Sequence, residues 1–455
     1  MGKGAWQSVS RLGCGLLLLT LPIAFNPYAL LPFEPVKATL LRWGVGLVAL
    51  LVTAVALGPQ GHRDLRTVQD KAPTPKRFQL WLPVIVVFGY GALLGVATGA
   101  STNVAQSLWG LSDRHGAVTT WALLLYFGLL YTSLTTVAQI EQQLLLALLA
   151  GVTVSSYGIA QFAGYDPFAW QSDSISSVHA TLGRSNFLGA FLAVILPISV
   201  YLLARVLAVP SAHRRLFPAL AAIVLLLPQM ATLLFTQARA GWLAFGVGTT
   251  VAVSGFWWVQ GRRQLWQLAL SLCACWLLGY LLFVWFNQSP TSPAYQPVIV
   301  SSGASFAAQR DASIVHRWLI WRSTLTLLPG HWWWGYGPEM FVTVFQARFP
   351  AGTLYTGADA IVDDPHNLWL EQLMAVGLGG TLLFAALLAW FYSALLGMIG
   401  SAANRKSKQL AVTLLAAMSA YLTQAQFNPD VVTLSLLCWL LLACGFALRY
   451  GVVTS

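Results

Sequence analysis

DDPHNLWLEQLMAVGLGGTLLFAALLAWFYSALLGM, residues 363–398, is the stretch on which the fold turns. It begins with two acids, a proline, a histidine and an asparagine, and from Leu373 to Met398 it carries no charge. About twenty consecutive apolar residues are what a helix needs to cross a bilayer. The stretch therefore reads as a boundary, with the polar knot Asp363–Glu371 lying at the edge of lipid. Upstream of the knot runs a polar segment from Asn287 to His366, in a chain that is otherwise almost all hydrocarbon. Ionisable groups where such a segment meets the membrane are the first place to look for chemistry.

Composition agrees with a membrane origin. Of 455 residues, 57% are hydrophobic and only 9% charged, whereas soluble proteins carry roughly 25% charged residues. Long apolar runs between short polar turns predict a helical bundle, since barrel strands would alternate over about ten residues. The expected fold class is all-α, a single integral membrane domain over 1–455. Twelve candidate spans centre on 12–31, 38–58, 79–98, 117–138, 142–162, 185–206, 216–236, 240–258, 265–286, 367–396, 409–427 and 431–449. No small-residue cleavage site follows the first, and Asn26-Pro27 ends it, so it reads as a span rather than a cleaved leader. No internal repeat is apparent. The five cysteines lie in apolar runs with no metal-ligand spacing, and read as buried small hydrophobes.

Charge sets an expected orientation. With the N-terminus in the cytoplasm, sixteen of the 25 lysines and arginines fall on one side, with only Asp64, Asp70 and Glu141 as acids. The positive-inside rule then puts both termini in the cytoplasm and the 287–366 loop outside. The net charge of +11 is thus an orientation signal. It is not the clustered basic face of a nucleic-acid binder.

That orientation singles out the outer arginines. Arg184 opens the sixth span within Gly183-Arg184-Ser185-Asn186, and Arg239 sits in the short hinge Gln237-Ala238-Arg239-Ala240-Gly241-Trp242. Arg310, Arg317, Arg322 and Arg348 lie in the long loop. One reading makes each a snorkelling anchor of a helix end. The other makes them a clamp for an anionic group, because the guanidinium fork gives phosphate two parallel charge-assisted hydrogen bonds. Residues 310–328 are expected to form a surface helix whose apolar face is Ile314, Trp318, Trp321, Leu325 and Leu328. Leu328-Pro329-Gly330 ends it. In the following HWWWGYG, residues 331–337, the tryptophans suit a headgroup belt, and they would equally stack on sugar rings. Gly335 and Gly337 suit turns with positive φ or close backbone approach.

His366 is the one group in the knot that can act as a base near neutral pH without a large shift. Asp363 and Asp364 are placed to orient it or to raise its pKa. The competing reading makes the histidine and aspartates capping groups at a helix start. Glu371, an acid at the start of a span, is a functional suspect by position, and pairing with an arginine would account for it. His62, His213, His316 and His331 show no metal-ligand spacing.

Taken together, these motifs resemble the O-antigen ligase and polymerase superfamily. The likeness spans about 180–430 and rests on Gly183-Arg184-Ser185-Asn186, the Arg239 hinge, Arg317-Trp318, Gly335-Tyr336-Gly337, His366-Asn367, and Gly377 with Gly380. It implies a bacterial inner-membrane protein with about twelve helices, one large periplasmic loop and a fold related to membrane glycosyltransferases that use polyprenyl-phosphate donors. The implied activity, of the kind that builds lipopolysaccharide, moves a glycan from an undecaprenyl diphosphate carrier to a lipid-linked or glycan hydroxyl. That reaction is inverting and needs neither metal nor cofactor. Carried over, His366 is the essential histidine, while Arg184 and Arg239 contact the donor diphosphate and Arg317 is a further loop arginine. Asn367, Asp363, Asp364, Glu371 and Arg310 stand as supporting candidates. One departure is Ala375-Val376, where many relatives place an acid before the glycine matching Gly377. Glu371 lies outside the family pattern. Rival readings are an inorganic-carbon transporter, since proteins with this C-terminal pattern carry that label, and a protein-directed oligosaccharyltransferase.

Overall fold

The computed structural model describes residues 4–58, 75–111, 115–168, 170, 177–207, 212–260, 266–281 apart from 271, 275 and 279, 315–350 and 362–451. Among these residues there is no strand. The helices are α1 (Ala5–Thr20), α2 (Glu34–Leu57), α3 (Pro75–Gly99), α4 (Val104–Trp109), α5 (Ala117–Ser133), α6 (Val137–Phe162), α7 (Ser185–Leu207), α8 (Ala212–Phe235) and α9 (Arg239–Gln260). They continue as α10 (315–325), α11 (Phe341–Arg348), α12 (Leu368–Gly400), α13 (Arg405–Gln424) and α14 (Val432–Phe446). This is an all-α, polytopic membrane protein.

Among the described residues, eight helices are long and apolar enough to cross a bilayer: α2, α3, α6, α7, α8, α9, α12 and α14. The other four expected spans differ in instructive ways. The span expected at 12–31 is α1, which starts earlier, at Ala5, and stops at Thr20. It admits polar residues because they find partners on α5: Ser10 donates to the Leu129 carbonyl at 2.7 Å and Arg11 to that of Ser133 at 2.8 Å. α5 has 17 residues, at the short end of what crosses a bilayer. α13 is too polar by composition, yet Gln409, Thr413 and Gln424 are all buried within the bundle. The fourth, 265–286, lies partly outside the described residues. Cys14, Cys438 and Cys444 are buried as expected, while Cys273 is exposed.

α7 and α14 form the centre. Every residue of α14 and nearly every residue of α7 is buried, which is why both sequences read as apolar on all sides. Lipid offers helices no hydrophobic drive to associate, so they meet through close packing at small residues. At the start of α7 and α9 that packing is backbone to backbone. A Cβ on Gly241 would lie 2.7 Å from the carbonyl carbon of Gly189. Glycine is therefore required at this crossing, which brings the N-terminal ends of two arginine-bearing helices together.

The long helix α12 is broken at Gly377, whose φ is 62° and ψ −169°. A break in lipid exposes backbone groups that need partners, and the 331–337 segment supplies them. Tyr336 N–H donates to the Met374 carbonyl at 2.6 Å, and Leu378 N–H donates to the Trp332 carbonyl at 2.6 Å. The contact is so close that a Cβ on Gly377 would lie 2.3 Å from the Trp333 carbonyl oxygen. Gly335 and Gly337 do take positive φ, at 70° and 98°. The tryptophans at 332–334 point outward, at least 44% exposed, so the job of this segment in the fold is done by its backbone.

A helix is present at 315–325, and of the described residues expected on its apolar face only Leu328, just past its end, and the half-buried Trp321 are covered. Trp318 and Leu325 are 62% and 47% exposed, whereas Ile320, Thr324, Leu327 and Leu328 are buried. Ile320, Leu327 and Leu328 pack with Phe341, Phe345 and Met374. Thr324 can sit inside because its hydroxyl donates to the Ile320 carbonyl at 2.7 Å. The indole Nε1 of Trp321 instead donates to the Pro365 carbonyl at 3.0 Å, tying α10 to the polar knot. Ile314 and Arg310 lie outside the described residues.

Candidate active site

The knot is held from three directions. Asn367, not an aspartate, caps α12: its side chain accepts from the amides of Trp369 and Leu370 at 3.0 and 3.2 Å. Leu368 N–H donates to the Ala425 carbonyl at 2.8 Å, docking the helix start on the end of α13. Asp364 accepts from the amide of His366 at 2.5 Å. That bond holds His366 at φ 53°, in the left-handed region where a side chain is strained. Backbone strain held this firmly is common at functional sites.

The His366 imidazole is a quarter exposed. Its Nδ1 lies 3.7 Å from Asp364 Oδ1, too far for a hydrogen bond, and has no other hydrogen-bond partner. Burial pulls its pKa down to about 4, and the charges of Arg317, Arg184 and His316 push the same way, against Asp363. The expected rise from the two aspartates does not occur. Burial outweighs Asp363, and Asp364 is itself pushed well above the carboxylate range by burial and by Asp363, Glu339 and Asp430 around it. His366 is therefore neutral across the physiological range, the form that accepts a proton.

Three of the four expected arginines lie among the described residues. Arg184 follows a short 3-10 turn, Ala180–Leu182, and its guanidinium lies 3.9 Å from Asp363 and over the Phe187 ring at 5.6 Å. Arg317 lies on α10 close enough to act on His366, and Arg239 close enough to act on Arg317. Burial lowers the proton affinity of Arg317 and Arg239 adds to it. The structure thus brings Arg184, Arg317, Arg239 and His366 into one electrostatic neighbourhood at one end of the bundle.

Acids sit beside the arginines. A cavity of about 200 Å³ is lined by Arg184, Phe187, Phe33 and Glu34, and a second of about 90 Å³ by Tyr90, Gln372, Tyr421 and Trp439. Both share His115, Glu339, Asp363, Asp364, Glu371 and Asp430. Among the described residues Glu371 meets acids, not the arginine whose pairing would have accounted for it without a function: Asp364, Asp430 and Glu339 act on it, and the Asp430 amide supports it. Its Oε2 is buried without a hydrogen-bond partner. Asp430 accepts from Tyr421 and Ser435 at 2.9 and 2.6 Å, and burial pushes its pKa up to about 6. Burial pulls His115 beside it down to about 4. Among the described residues, no three of these acids and histidines converge as metal ligands. Sequence reasoning missed Asp430, Glu339 and His115. Each lies in a connection between helices, far from the others in sequence, and only the fold joins them.

Comparison with known families finds a match over part of the chain. Residues 221–385 match the O-antigen ligase family. The matched segment runs from within α8 to within α12 and contains Arg239, Arg317, His366 and Gly377, leaving Arg184 and Asp430 outside. Over that segment it supports kinship with the O-antigen ligase superfamily and a glycan ligase or polymerase role. No curated protein matches the chain.

Proposed function

We propose that this protein transfers a glycan from undecaprenyl diphosphate to a lipid-linked or glycan hydroxyl on the outer face of the bacterial inner membrane. The observation that carries the reading is the meeting of a neutral histidine, its Nδ1 unpartnered, with three arginines beside a cavity. An inverting displacement at an anomeric carbon needs a base for the incoming hydroxyl and positive charge for the departing diphosphate. His366 takes the hydroxyl proton as the new C–O bond forms. The bond from the anomeric carbon to the diphosphate breaks, and its electron pair leaves on the diphosphate, which Arg184, Arg239 and Arg317 hold. Arg184 lines the larger cavity together with the acids, so the diphosphate end of the donor would lie at its arginine side and the hydroxyl-rich sugar against the acids.

The test uses purified protein in lipid vesicles with an undecaprenyl-diphosphate oligosaccharide and candidate acceptors. Product and free carrier diphosphate should appear together. Bicarbonate uptake into the vesicles without any product would replace this reading with transport.

A further inference from the structure

Lys37 lies in the first turn of α2 with no exposed surface, and the mechanism above gives it no task. Its placement is doubly unfavourable: the charge is buried, and it sits at the positive end of a helix dipole. What offsets this is a pair of carbonyls. Lys37 Nζ donates to Ala24 O at 2.9 Å and to Thr181 O at 2.6 Å, with the Phe33 ring centroid 5.7 Å away. One ammonium therefore joins the turn after α1, the start of α2 and the turn that ends two residues before Arg184.

That turn is unusual in needing to be held. Ala180 has φ 46° and Gly183 φ 83°, so the backbone enters the left-handed region twice just before the arginine. Two further bonds converge on it: Thr181 Oγ1 donates to Pro22 O at 2.7 Å, and the Ala180 amide donates to Gln161 Oε1 at 2.7 Å. Arg184 itself is 59% exposed, and its ion pair with Asp363 is a long 3.9 Å. Where its guanidinium points is set by the backbone it leaves.

We propose that Lys37 is a positioning residue for Arg184: by clamping the Thr181 carbonyl it fixes the 180–184 turn and aims the guanidinium at the donor diphosphate. The inference rests on the reading of Arg184 as a donor ligand. A binding group held by a rigid supporting shell loses its effect when that shell loosens, and a displacement of about 1 Å costs on the order of 100-fold in rate.

The experiment measures transfer kinetics with an undecaprenyl-diphosphate oligosaccharide for Lys37→Met, Arg184→Ala and the double variant. Lys37→Met should raise the donor KM roughly tenfold, within the cost of such a displacement, and leave the acceptor KM unchanged. In the Arg184→Ala background it should add no further donor effect, because the group it positions is gone. Equal rises in donor and acceptor KM, or a full Lys37→Met effect without Arg184, would overturn the proposal. Arg184→Ala with normal donor use would instead overturn the donor-site reading itself. Should Lys37→Met fail to fold, Thr181→Val removes only the Pro22 bond to the same turn. It should raise the donor KM in the same direction, and an unchanged donor KM in that variant overturns the proposal equally.

Discussion

His366 owes its neutrality to burial, and this has a measurable consequence. A base needs its unprotonated form, and with a pKa near 4 that form is complete well below pH 6. The acid limb of kcat/KM for transfer should therefore lie near pH 4, not at the 6.5 of an ordinary histidine. A limb at 6.5 would show that the imidazole is more solvated in action than in this structure. His366→Ala should lower kcat by about 100- to 10,000-fold, the usual worth of a general base, while donor binding persists. Unchanged turnover would remove His366 from the mechanism. Arg239→Lys retains the charge and loses the bidentate fork, so donor KM should rise by roughly tenfold, the loss of one charge-assisted bond. Full activity there would mean that Arg239 only anchors α9. At this scale the residue types in the knot and the outer arginines were legible, because polar groups at span ends stand out against hydrocarbon. Lys37 was not, since a lysine near a helix start looks like any snorkelling side chain until its carbonyl partners, 13 and 144 residues away, are known.

Among the elements, α12 shows most clearly what a sequence conceals. Its 33 residues read as one long span, and Gly377 looks like any glycine in a membrane helix. The break depends on a partner about forty residues upstream, the backbone of Trp332 to Tyr336, and hydropathy carries no trace of that pairing. The same blindness misassigned the face of α10. Tryptophan counts as apolar and threonine as polar, yet Trp318 faces out and Thr324 faces in with its hydroxyl satisfied. Gly377→Ala meets both a positive φ and the Trp333 carbonyl. It should destabilise the protein by about 1–3 kcal/mol, the cost of a residue forced into such a conformation, visible as a lower thermal midpoint in detergent. Asn367→Ala removes a cap worth about 1 kcal/mol and should lower the midpoint less. If the two variants melt like the parent, neither the break nor the cap shapes the start of α12.

The molecule as a whole divides its charges between two ends. At one end are the arginines, the acids and His366. At the other, Glu141 on α6 is shared by Arg205 of α7 and Lys406 of α13, and Tyr201 donates to it at 2.6 Å. A broken helix and buried acids also occur in transporters, which rock one half against the other around a central site. In such a machine the far-end ion cluster would be coupled to the binding site. Here the groups freed at the break are paired to a loop, and a transferase that works at one face needs no such coupling. Glu141→Ala separates the two readings. It leaves two like charges facing one another, and for partly exposed pairs the loss is about 1 kcal/mol, or a fall of about 1 °C in the melting midpoint of a chain this long. In a transferase the donor KM should stay at the parent value, because nothing in the reaction reaches that end. A donor KM that rises in Glu141→Ala as it does in Arg184→Ala would show that the two ends move together, and would return the transporter reading to first place.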